Sequence, residues 1–284
     1  MNFKTLRFSP LLIFFLIFMP ECFSFRDNDK SLYRLMEKQA STFEINYLEA
    51  YPLRWLWYEN PDKDAPILLF IHGAPGSSSA FLSYIQDDTL RAQFSILVID
   101  RLGYGYSGYG NYQAIPQQFE AIDTLIKKVN ANQQNVYSVG HSYGGTIAGY
   151  IAIQDPEWLK GTVMIAPAID PEQEKYFWFG KLALYNSTRW MVSKSLRVAA
   201  DEKYSHEEEL RTFVNQWDKI NSPILHIHGD KDGLVPYGNV NFSLQNIPKK
   251  WLEVKTISGE GHLIPFTEKE KMVNEILKFI GNNE

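Results

Sequence analysis

Short apolar runs alternate with longer amphipathic stretches from about residue 42 to the end of the chain, and this alternation constrains the fold most strongly. The runs are rich in Ile, Val and Leu and end at turn residues, as strands of a parallel sheet do when both faces are buried. Two earlier segments, 42–47 and 55–58, have apolar residues at every second position and predict an opening hairpin. The predicted parallel strands are Ile67–Ile71, Ser95–Ile99, Val136–Val139, Thr162–Ile165, Ile224–Ile227 and Trp251–Ile257.

The stretches between the runs have apolar residues at helical spacing, and predict helices at Pro116–Val129, Gly144–Gln154 and Glu268–Ile280. Strands that each lead into a helix are typical of the α/β class, so we predict a central, mostly parallel β-sheet flanked by helices. The segment from about 170 to 220 interrupts the pattern with aromatic and charged residues, and we interpret it as a helical cap insertion over the sheet. Residues 25–284 are expected to form a single domain, since this length is ample for one core.

The N-terminus has a different character. Lys4 and Arg7 precede the apolar run Leu11–Met19, which is the order of a secretory signal peptide. We therefore predict that residues 1–24 are a signal peptide and that the protein is exported, either periplasmic or secreted. The alternative is an uncleaved anchor at residues 8–20, and only then would a membrane be a partner.

Charge and cysteine content exclude several classes of function. Lys and Arg total 28 against 33 Asp and Glu, for a net charge of −5, and no long run of one sign occurs. A nucleic-acid partner is not expected, because phosphate binding needs a concentrated basic face. The single cysteine, Cys22, lies in the predicted signal peptide. The mature chain would therefore have no thiol nucleophile, no disulfide and no cysteine metal ligand.

The segment Gly140-His-Ser-Tyr-Gly144 follows a predicted strand and precedes a predicted helix. This strand-turn-helix context is what a nucleophile elbow requires, and it makes Ser142 the candidate nucleophile. Glycines at both ends fit a turn so tight that side chains there would strike the strand or the helix. The competing interpretation is a glycine-rich turn with an incidental serine.

A serine nucleophile needs a base, and the base needs an orienting acid. Only four histidines follow the serine in the chain. His262 comes just beyond the last predicted strand, where its ring could reach the carboxyl edge of the sheet, and we predict it as the base. His226 and His228 alternate within a strand and are expected to be packing residues, whereas His206 is expected on a solvated helix face.

Two aspartates end the strand that begins at Ile224. Asp232 is the predicted acid, because its place in the turn directs it back toward a base. Asp230 is the main alternative and Asp170 a lesser one. The structural interpretation of Asp230 is a turn residue that binds its own backbone.

The loop His72–Ser77 directly follows the strand Ile67–Ile71, and its small residues allow backbone amides to approach a ligand. Acyl transfer requires hydrogen-bond donors for the negative charge that develops on the carbonyl oxygen. The backbone amides of Ala74 and Tyr143 are the predicted substrate-binding donors. A plain Gly-Pro turn is the alternative for this loop.

Five motifs in this order resemble the α/β-hydrolase fold family, and the resemblance covers residues 42–282. They are His72-Gly-Ala-Pro-Gly, Asp100-Arg-Leu-Gly-Tyr-Gly-Tyr-Ser107, Gly140-His-Ser-Tyr-Gly144, Gly229-Asp-Lys-Asp-Gly-Leu-Val-Pro236 and Gly261-His262. The resemblance implies a central sheet with a cap, a Ser142–Asp232–His262 triad and a structural role for the Asp100 loop. Relatives that act on epoxides or haloalkanes have aspartate at the elbow, so Ser142 argues against both chemistries.

We expect a serine hydrolase that cleaves a carboxylic ester, or a related acyl bond, in a small-molecule substrate through an acyl-enzyme, with no cofactor. Peptidase or amidase, lactonase and carbon–carbon bond hydrolase remain alternatives on the same triad, and thioester cleavage is equally compatible with it. A non-catalytic binding protein of the same fold is less expected, since all three triad members are present. The alternation of His226, His228, Asp230 and Asp232 suggests a metallo-hydrolase, but the closing histidine of that pattern is absent and we predict no metal site.

The cap is strongly aromatic, which favours an apolar acyl or alcohol group in the substrate. An amphipathic cap that simply packs onto the core explains the same composition. Its aromatic residues are Tyr176, Phe177, Trp178, Phe179, Tyr185 and Trp190.

Overall fold

The structure is a computed structural model that describes residues 25–39, 42–176 and 180–283. The predicted signal peptide, residues 1–24, lies outside the described residues, as do three of the cap aromatics, at 177–179. Within the described ranges, no helix is both long and apolar enough to cross a bilayer.

An eight-stranded sheet forms the centre of the protein, with strand order β1-β2-β4-β3-β5-β6-β7-β8. Its strands are β1 Glu44–Leu48, β2 Leu53–Tyr58, β3 Ile67–Ile71, β4 Ser95–Ile99, β5 Val136–His141, β6 Leu159–Ile165, β7 Ile224–Gly229 and β8 Leu252–Ile257. The strands from β3 to β8 are parallel to their neighbours, and this confirms the predicted parallel sheet. The predicted hairpin is the antiparallel pair β1 and β2, and β2 joins the sheet antiparallel to β4.

Helices cover both faces of the sheet. They are α1 Asp29–Gln39, α2 Leu82–Ile85, α3 Asp88–Arg91, α4 Ile115–Val129, α5 Tyr143–Gln154, α6 Lys181–Leu184, α7 Asn186–Arg189, α8 Lys194–Phe213, α9 Gly238–Asn246, α10 Ile264–Thr267 and α11 Lys269–Gly281. The three predicted helices correspond to α4, α5 and α11, and the predicted cap contains α6, α7 and α8. The sequence analysis missed α9, whose Gly, Asn and Ser residues are weak helix formers.

Two hydrophobic cores lie on opposite faces of the sheet, because successive side chains of a strand point to opposite sides. In β3, Ile67, Leu69 and Ile71 belong to the core that packs against α4 and α5. Leu68 and Phe70, between them, belong to the core that packs against α1 and α11. The run Ile67–Ile71 is uniformly apolar for this reason, and the carboxyl ends of β3, β5 and β7 are held at one edge of the sheet.

A buried ion pair joins the hairpin to the loop after β4. Arg54 Nε donates to Asp100 Oδ2 at 2.8 Å, and neither side chain is exposed to solvent. Asp100 also accepts the backbone N–H groups of Ser78 and Tyr106, each at 2.7 Å. A Cβ on Gly105 would lie 2.0 Å from the Asp100 carboxylate, so the loop can close around the charge only with glycine there. The Asp100 loop is therefore structural, as the resemblance implied.

We expect Arg54→Met to destabilise the fold by about 3–5 kcal/mol, because the Asp100 carboxylate would stay buried without its cation. Urea unfolding followed by circular dichroism measures the loss. The matched control is Lys127→Met, which removes a solvent-exposed partner of Asp123 and should leave the unfolding midpoint essentially unchanged. Equal midpoints for both variants would show that the buried pair is not a structural requirement.

Candidate active site

The turn at Ser142 is enforced by backbone contact between a strand and a helix. A Cβ on Gly140 would lie 2.1 Å from the carbonyl oxygen of Gly144, and a Cβ on Gly144 would lie 2.2 Å from that of Ile71. Both distances are far shorter than real Cβ contacts, so only glycine fits either position. This is the steric reason that the sequence analysis gave for the two glycines.

Ser142 itself has φ 56° and ψ −124°, a conformation that side-chain-bearing residues rarely adopt and that is typical of functional sites. Its carbonyl oxygen accepts the N–H groups of Gly145 and Thr146 at 2.8 and 3.2 Å, which fixes the first turn of α5. Its side chain makes no capping hydrogen bond to that helix. Ser142 is half-buried between the buried residues His141 and Tyr143, and this exposes a side chain at the carboxyl edge of the sheet.

Asp232 and His262 form a hydrogen-bonded pair. His262 Nδ1 donates to Asp232 Oδ2 at 2.7 Å, and the carboxylate is fully buried. Asp232 Oδ1 accepts the N–H groups of Leu234 and Val235 at 2.9 and 2.8 Å. Burial works against ionisation, but the N–H groups of His228 and His262 outweigh it and hold the pKa of the Asp232 carboxyl well below its usual range. The pair is therefore an imidazole oriented by a permanently charged carboxylate.

The two alternative acids lie elsewhere. Asp230 accepts Gly259 N–H at 2.8 Å and Ser258 Oγ–H at 3.3 Å, so it joins the exposed turns after β7 and β8. Asp170 accepts Glu172 N–H at 3.0 Å at the start of the cap. Neither carboxylate has a described contact with His262.

His141 connects the turn at Ser142 to the loop of His262. Burial and the neighbouring imidazole of His262 lower the pKa of His141 to about 3, so its ring is neutral. His141 Nε2 donates to the carbonyl oxygen of His262 at 2.9 Å, and the two ring centres are 4.8 Å apart. His141 immediately precedes Ser142, so this hydrogen bond holds His262 beside the turn. The sequence analysis quoted His141 within the motif but gave it no role.

The loop after β3 lies against Ser142. A Cβ on Gly73 would be 3.0 Å from Ser142 Cβ, so the loop backbone is in contact with the serine. The Gly73 carbonyl oxygen accepts from His72 Nδ1 at 2.7 Å and from Arg101 Nη2 at 3.1 Å. In a trans peptide the C=O and N–H bonds point in opposite directions, so the N–H of Ala74 is directed away from the Arg101 guanidinium.

Arg101 also joins this loop to the cap. Its guanidinium donates to Glu202 Oε1 and Oε2 at 2.6 and 3.2 Å, and both side chains are buried. Its Nε donates to the His72 carbonyl oxygen at 2.8 Å, and Tyr104 Oη donates to Glu202 Oε2 at 2.6 Å. One guanidinium thus holds both the loop that carries Ala74 and helix α8. Sequence analysis could not find this link, because its two charges are about a hundred residues apart.

Two histidines of β7 form a hydrogen-bonded chain behind Asp232. His228 Nε2 faces two acceptors, the Val235 carbonyl oxygen at 3.2 Å and Asp232 Oδ2 at 3.4 Å, so this nitrogen bears the proton. In a neutral ring its Nδ1 then accepts from His226 Nε2, at 3.0 Å. Burial holds the pKa of His226 well below its usual range, so its Nδ1 accepts from Ser243 Oγ at 2.8 Å. The predicted packing histidines are therefore buried, as expected, but they also support the acid.

His206 corrects one expectation. It was predicted on a solvated helix face because of the acidic residues around it, but only 2% of its surface is exposed. Its Nε2 donates to the Ala168 carbonyl oxygen at 2.8 Å, and its ring lies 4.7 Å from that of Tyr143. Helix α8 therefore turns this side toward the loop after β6, while Glu208, two residues further on, is exposed. The sequence of the helix does not reveal which side meets the Tyr143 ring.

Among the described residues, no group of three His, Cys, Asp or Glu side chains is arranged to hold a metal ion. The alternating residues His226, His228, Asp230 and Asp232 do not converge. The first two bind each other and the acid turn, while Asp230 points to the turn after β8.

Comparison with known proteins identifies relatives in sequence and in structure. Residues 66–189 match the family model described as alpha/beta hydrolase fold. Proline iminopeptidase of Flavobacterium johnsoniae is 28% identical over 203 residues, which cover 65% of this chain and 66% of that protein. The 1-acylglycerol-3-phosphate O-acyltransferase of Arabidopsis thaliana is 31% identical over 108 residues, which cover 37% of this chain. The match spans 25% of the length of this plant relative.

Solved structures match over nearly the whole fold. A membrane phospholipase A, described as a novel bacterial virulence factor, has a TM-score of 0.66 and 17% identity, and the match covers 96% of this chain and 94% of that one. The monoacylglycerol lipase of Paleococcus ferrophilus has a TM-score of 0.64 and 17% identity, over 82% of this chain and 99% of that one. At these identities the likeness concerns the fold. Together with the family match over residues 66–189 and the strand-turn-helix at Ser142, it shows an α/β-hydrolase fold.

Proposed function

We propose that the protein is a serine hydrolase that cleaves carboxylic esters with Ser142 as nucleophile, His262 as base and Asp232 as acid. The observation that carries this proposal is the Asp232–His262 pair, which His141 holds beside the constrained turn at Ser142. A hydrolase is consistent with the family, and Asp230 is excluded from the pair by its own contacts.

The proton on His262 Nδ1 is committed to Asp232, so Nε2 of the neutral ring is free to accept a proton. In the proposed reaction Nε2 takes the hydroxyl proton of Ser142 as Oγ attacks the substrate carbonyl carbon. The imidazolium, stabilised by the Asp232 carboxylate, then returns this proton to the leaving alcohol as the ester bond breaks. A water, deprotonated by the same nitrogen, hydrolyses the acyl-enzyme and regenerates the serine.

Two backbone amides are the proposed donors to the oxyanion. Tyr143 is the first residue of α5, where N–H groups have no acceptor within the helix. The N–H of Ala74 is directed away from Arg101, on a loop whose Gly73 is in contact with Ser142. Both donors are fixed before substrate arrives, and such preorganised donors are usually the largest contribution to catalysis of acyl transfer.

An apolar group in the substrate is favoured by the surface around the site. Leu263 and Leu234, which lie close in sequence to His262 and Asp232, are 53% and 50% exposed, and Phe266 is 45% exposed with its ring against His141. Exposed apolar side chains at a site are explained when a ligand covers them. Peptide cleavage is the second candidate, because of the match to a proline iminopeptidase.

We expect Ser142→Ala to fold normally and to lose at least about 10⁴-fold in kcat on p-nitrophenyl esters, because the nucleophile is gone. Labelling by a serine-directed fluorophosphonate should disappear as well. The control is Ser187→Ala, an exposed cap serine that should keep full activity and labelling. Labelling that persists at another residue of the Ser142 variant would overturn the assignment.

Asp232→Asn should lower kcat by about 10³- to 10⁴-fold, since the amide cannot stabilise the imidazolium and its NH₂ group opposes the Nδ1 proton. The matched variant Asp230→Asn should lose little activity, because that carboxylate serves only a surface turn. A larger loss in the Asp230 variant would transfer the role of acid to that residue.

His228 is a positioning residue in this proposal, since it acts only through Asp232. We expect His228→Leu to lower kcat about 3- to 10-fold with little change in KM, because the acid turn loses one hydrogen bond. It also removes a hydrogen-bond donor from beside Asp232 Oδ2, so the carboxylate stabilises the imidazolium more strongly. The acidic limb of the kcat/KM profile should then move to higher pH.

His228→Gln, whose amide NH₂ can occupy the place of Nε2–H, should recover most of the rate and the original profile. A kcat loss with an unshifted profile in both variants would show that His228 only fills space.

A further inference from the structure

A short part of the cap is strongly basic in an acidic protein. Residues 180–197 contain four cations and no Asp or Glu, although the net charge of the chain is −5. Acidic residues of the cap lie on both sides of this stretch, at 170–174 and at 201–209. The four cations are Lys181, Arg189, Lys194 and Arg197.

Most of this charge is not compensated. Arg189 is paired with Asp201, with nitrogen–oxygen distances of 2.8 and 2.5 Å. Arg197 donates to backbone carbonyl oxygens, that of Trp190 at 2.9 Å among them. Lys181 and Lys194 are exposed, and no ion pair of either is found in the described part of the chain.

Two aromatic side chains near these cations are exposed to solvent. Trp190 is 68% exposed and Tyr185 is 59% exposed, more than any other large apolar side chain that the structure describes. Trp190 Nε1 already donates to the Ser187 carbonyl oxygen at 3.0 Å, so what it presents to solvent is chiefly the apolar ring. Helices α6 and α7 are tied together, since Arg189 donates to the Ala183 carbonyl oxygen at 2.7 Å, and the hydrogen bond from Arg197 to the Trp190 carbonyl oxygen joins Trp190 to helix α8.

The described chain begins at the same place. The guanidinium of Arg26 lies 4.0 Å from the ring centre of Tyr109, and Lys194 Nζ lies 5.8 Å from that centre. Arg26 is fixed there, since it also donates to the Gly105 carbonyl oxygen at 3.4 Å. The described chain therefore begins near Lys194, one residue before Arg26.

We propose that this surface docks onto an anionic lipid bilayer. We name it the basic face, and it comprises Arg26, Lys181, Tyr185, Trp190, Lys194 and Arg197. Lys and Arg are attracted to anionic headgroups, and Trp and Tyr rings are most stable at the boundary between headgroups and acyl chains. A bilayer explains both the cations and the exposed rings, whereas an acidic protein partner explains only the cations. The proposal does not depend on the catalytic assignment.

The test places a nitrobenzoxadiazole fluorophore on Asn186→Cys, between the two rings, in a Cys22→Ser background of the full chain. Vesicles of phosphatidylglycerol and phosphatidylcholine, with a headgroup nitroxide lipid as quencher, should quench this label, and pure phosphatidylcholine should quench it far less. The matched label is Asn132→Cys, an exposed position at the opposite edge of the sheet, just before β5. It should stay unquenched in both vesicles. Equal quenching of the two labels, or none of either, overturns the proposal.

Charge reversal gives a second arm. Lys181→Glu with Lys194→Glu should weaken docking by at least about tenfold. The double variant should accordingly need a higher phosphatidylglycerol fraction for half-maximal quenching. Lys249→Glu with Lys250→Glu changes the net charge equally at two exposed lysines just before β8, and should have little effect. An equal response of both double variants overturns the proposal. The proposal also fails if the fluorescence of the label at position 186 changes with protein concentration in the absence of vesicles, because that would indicate contact with a second copy of the chain.

Hydrolysis of a short, water-soluble ester is measured in the same samples. We expect it to be unchanged in both double variants, since none of the four lysines contacts the site. Absence of any hydrolysis in the unmodified protein would contradict the proposed function and leave the quenching result on the basic face valid.

Discussion

Helix α5 approaches strand β5 so closely that their backbones touch, and the site is built around this contact. Gly140 and Gly144 have no room for a side chain, and the chain between them turns through a conformation that Ser142 adopts at a cost in energy. The turn lifts one polar side chain out of a buried strand and leaves the first N–H groups of the helix without acceptors. The exposure of the Ser142 side chain and the free N–H groups beside it thus have the same steric cause.

The sequence predicted the fold well where a pattern is local. Strand β3 was found because all five of its residues are apolar, and the turn at Ser142 because its glycines are adjacent to it in sequence. The prediction of Asp232 over Asp230 as the acid rested on turn geometry alone, and Asp232 is the aspartate that hydrogen-bonds His262. Helix α9 was missed, since packing against the sheet stabilises it and its own residues favour it weakly.

Long-range contacts account for what the sequence could not predict. His141 meets the carbonyl of a residue 121 positions later, and Arg101 meets Glu202 101 positions later. The sequence around His206 indicates a solvated side chain, and the Tyr143 ring and the Ala168 carbonyl oxygen, both distant in sequence, explain its burial. The periodicity of apolar residues in a sequence does not predict contacts between residues so far apart. His141 and His206 show this best, since each lies in an ordinary strand or helix and takes its role from a residue elsewhere in the chain.

The buried Arg101–Glu202 ion pair attaches helix α8 of the cap to the body of the protein. Swinging helix α8 away from the body would strand two opposite charges in the interior, which costs several kcal/mol. The same swing would pull on the carbonyl oxygens that orient the loop of Ala74. Helix α8 therefore behaves as a fixed wall of the body rather than as a hinged door.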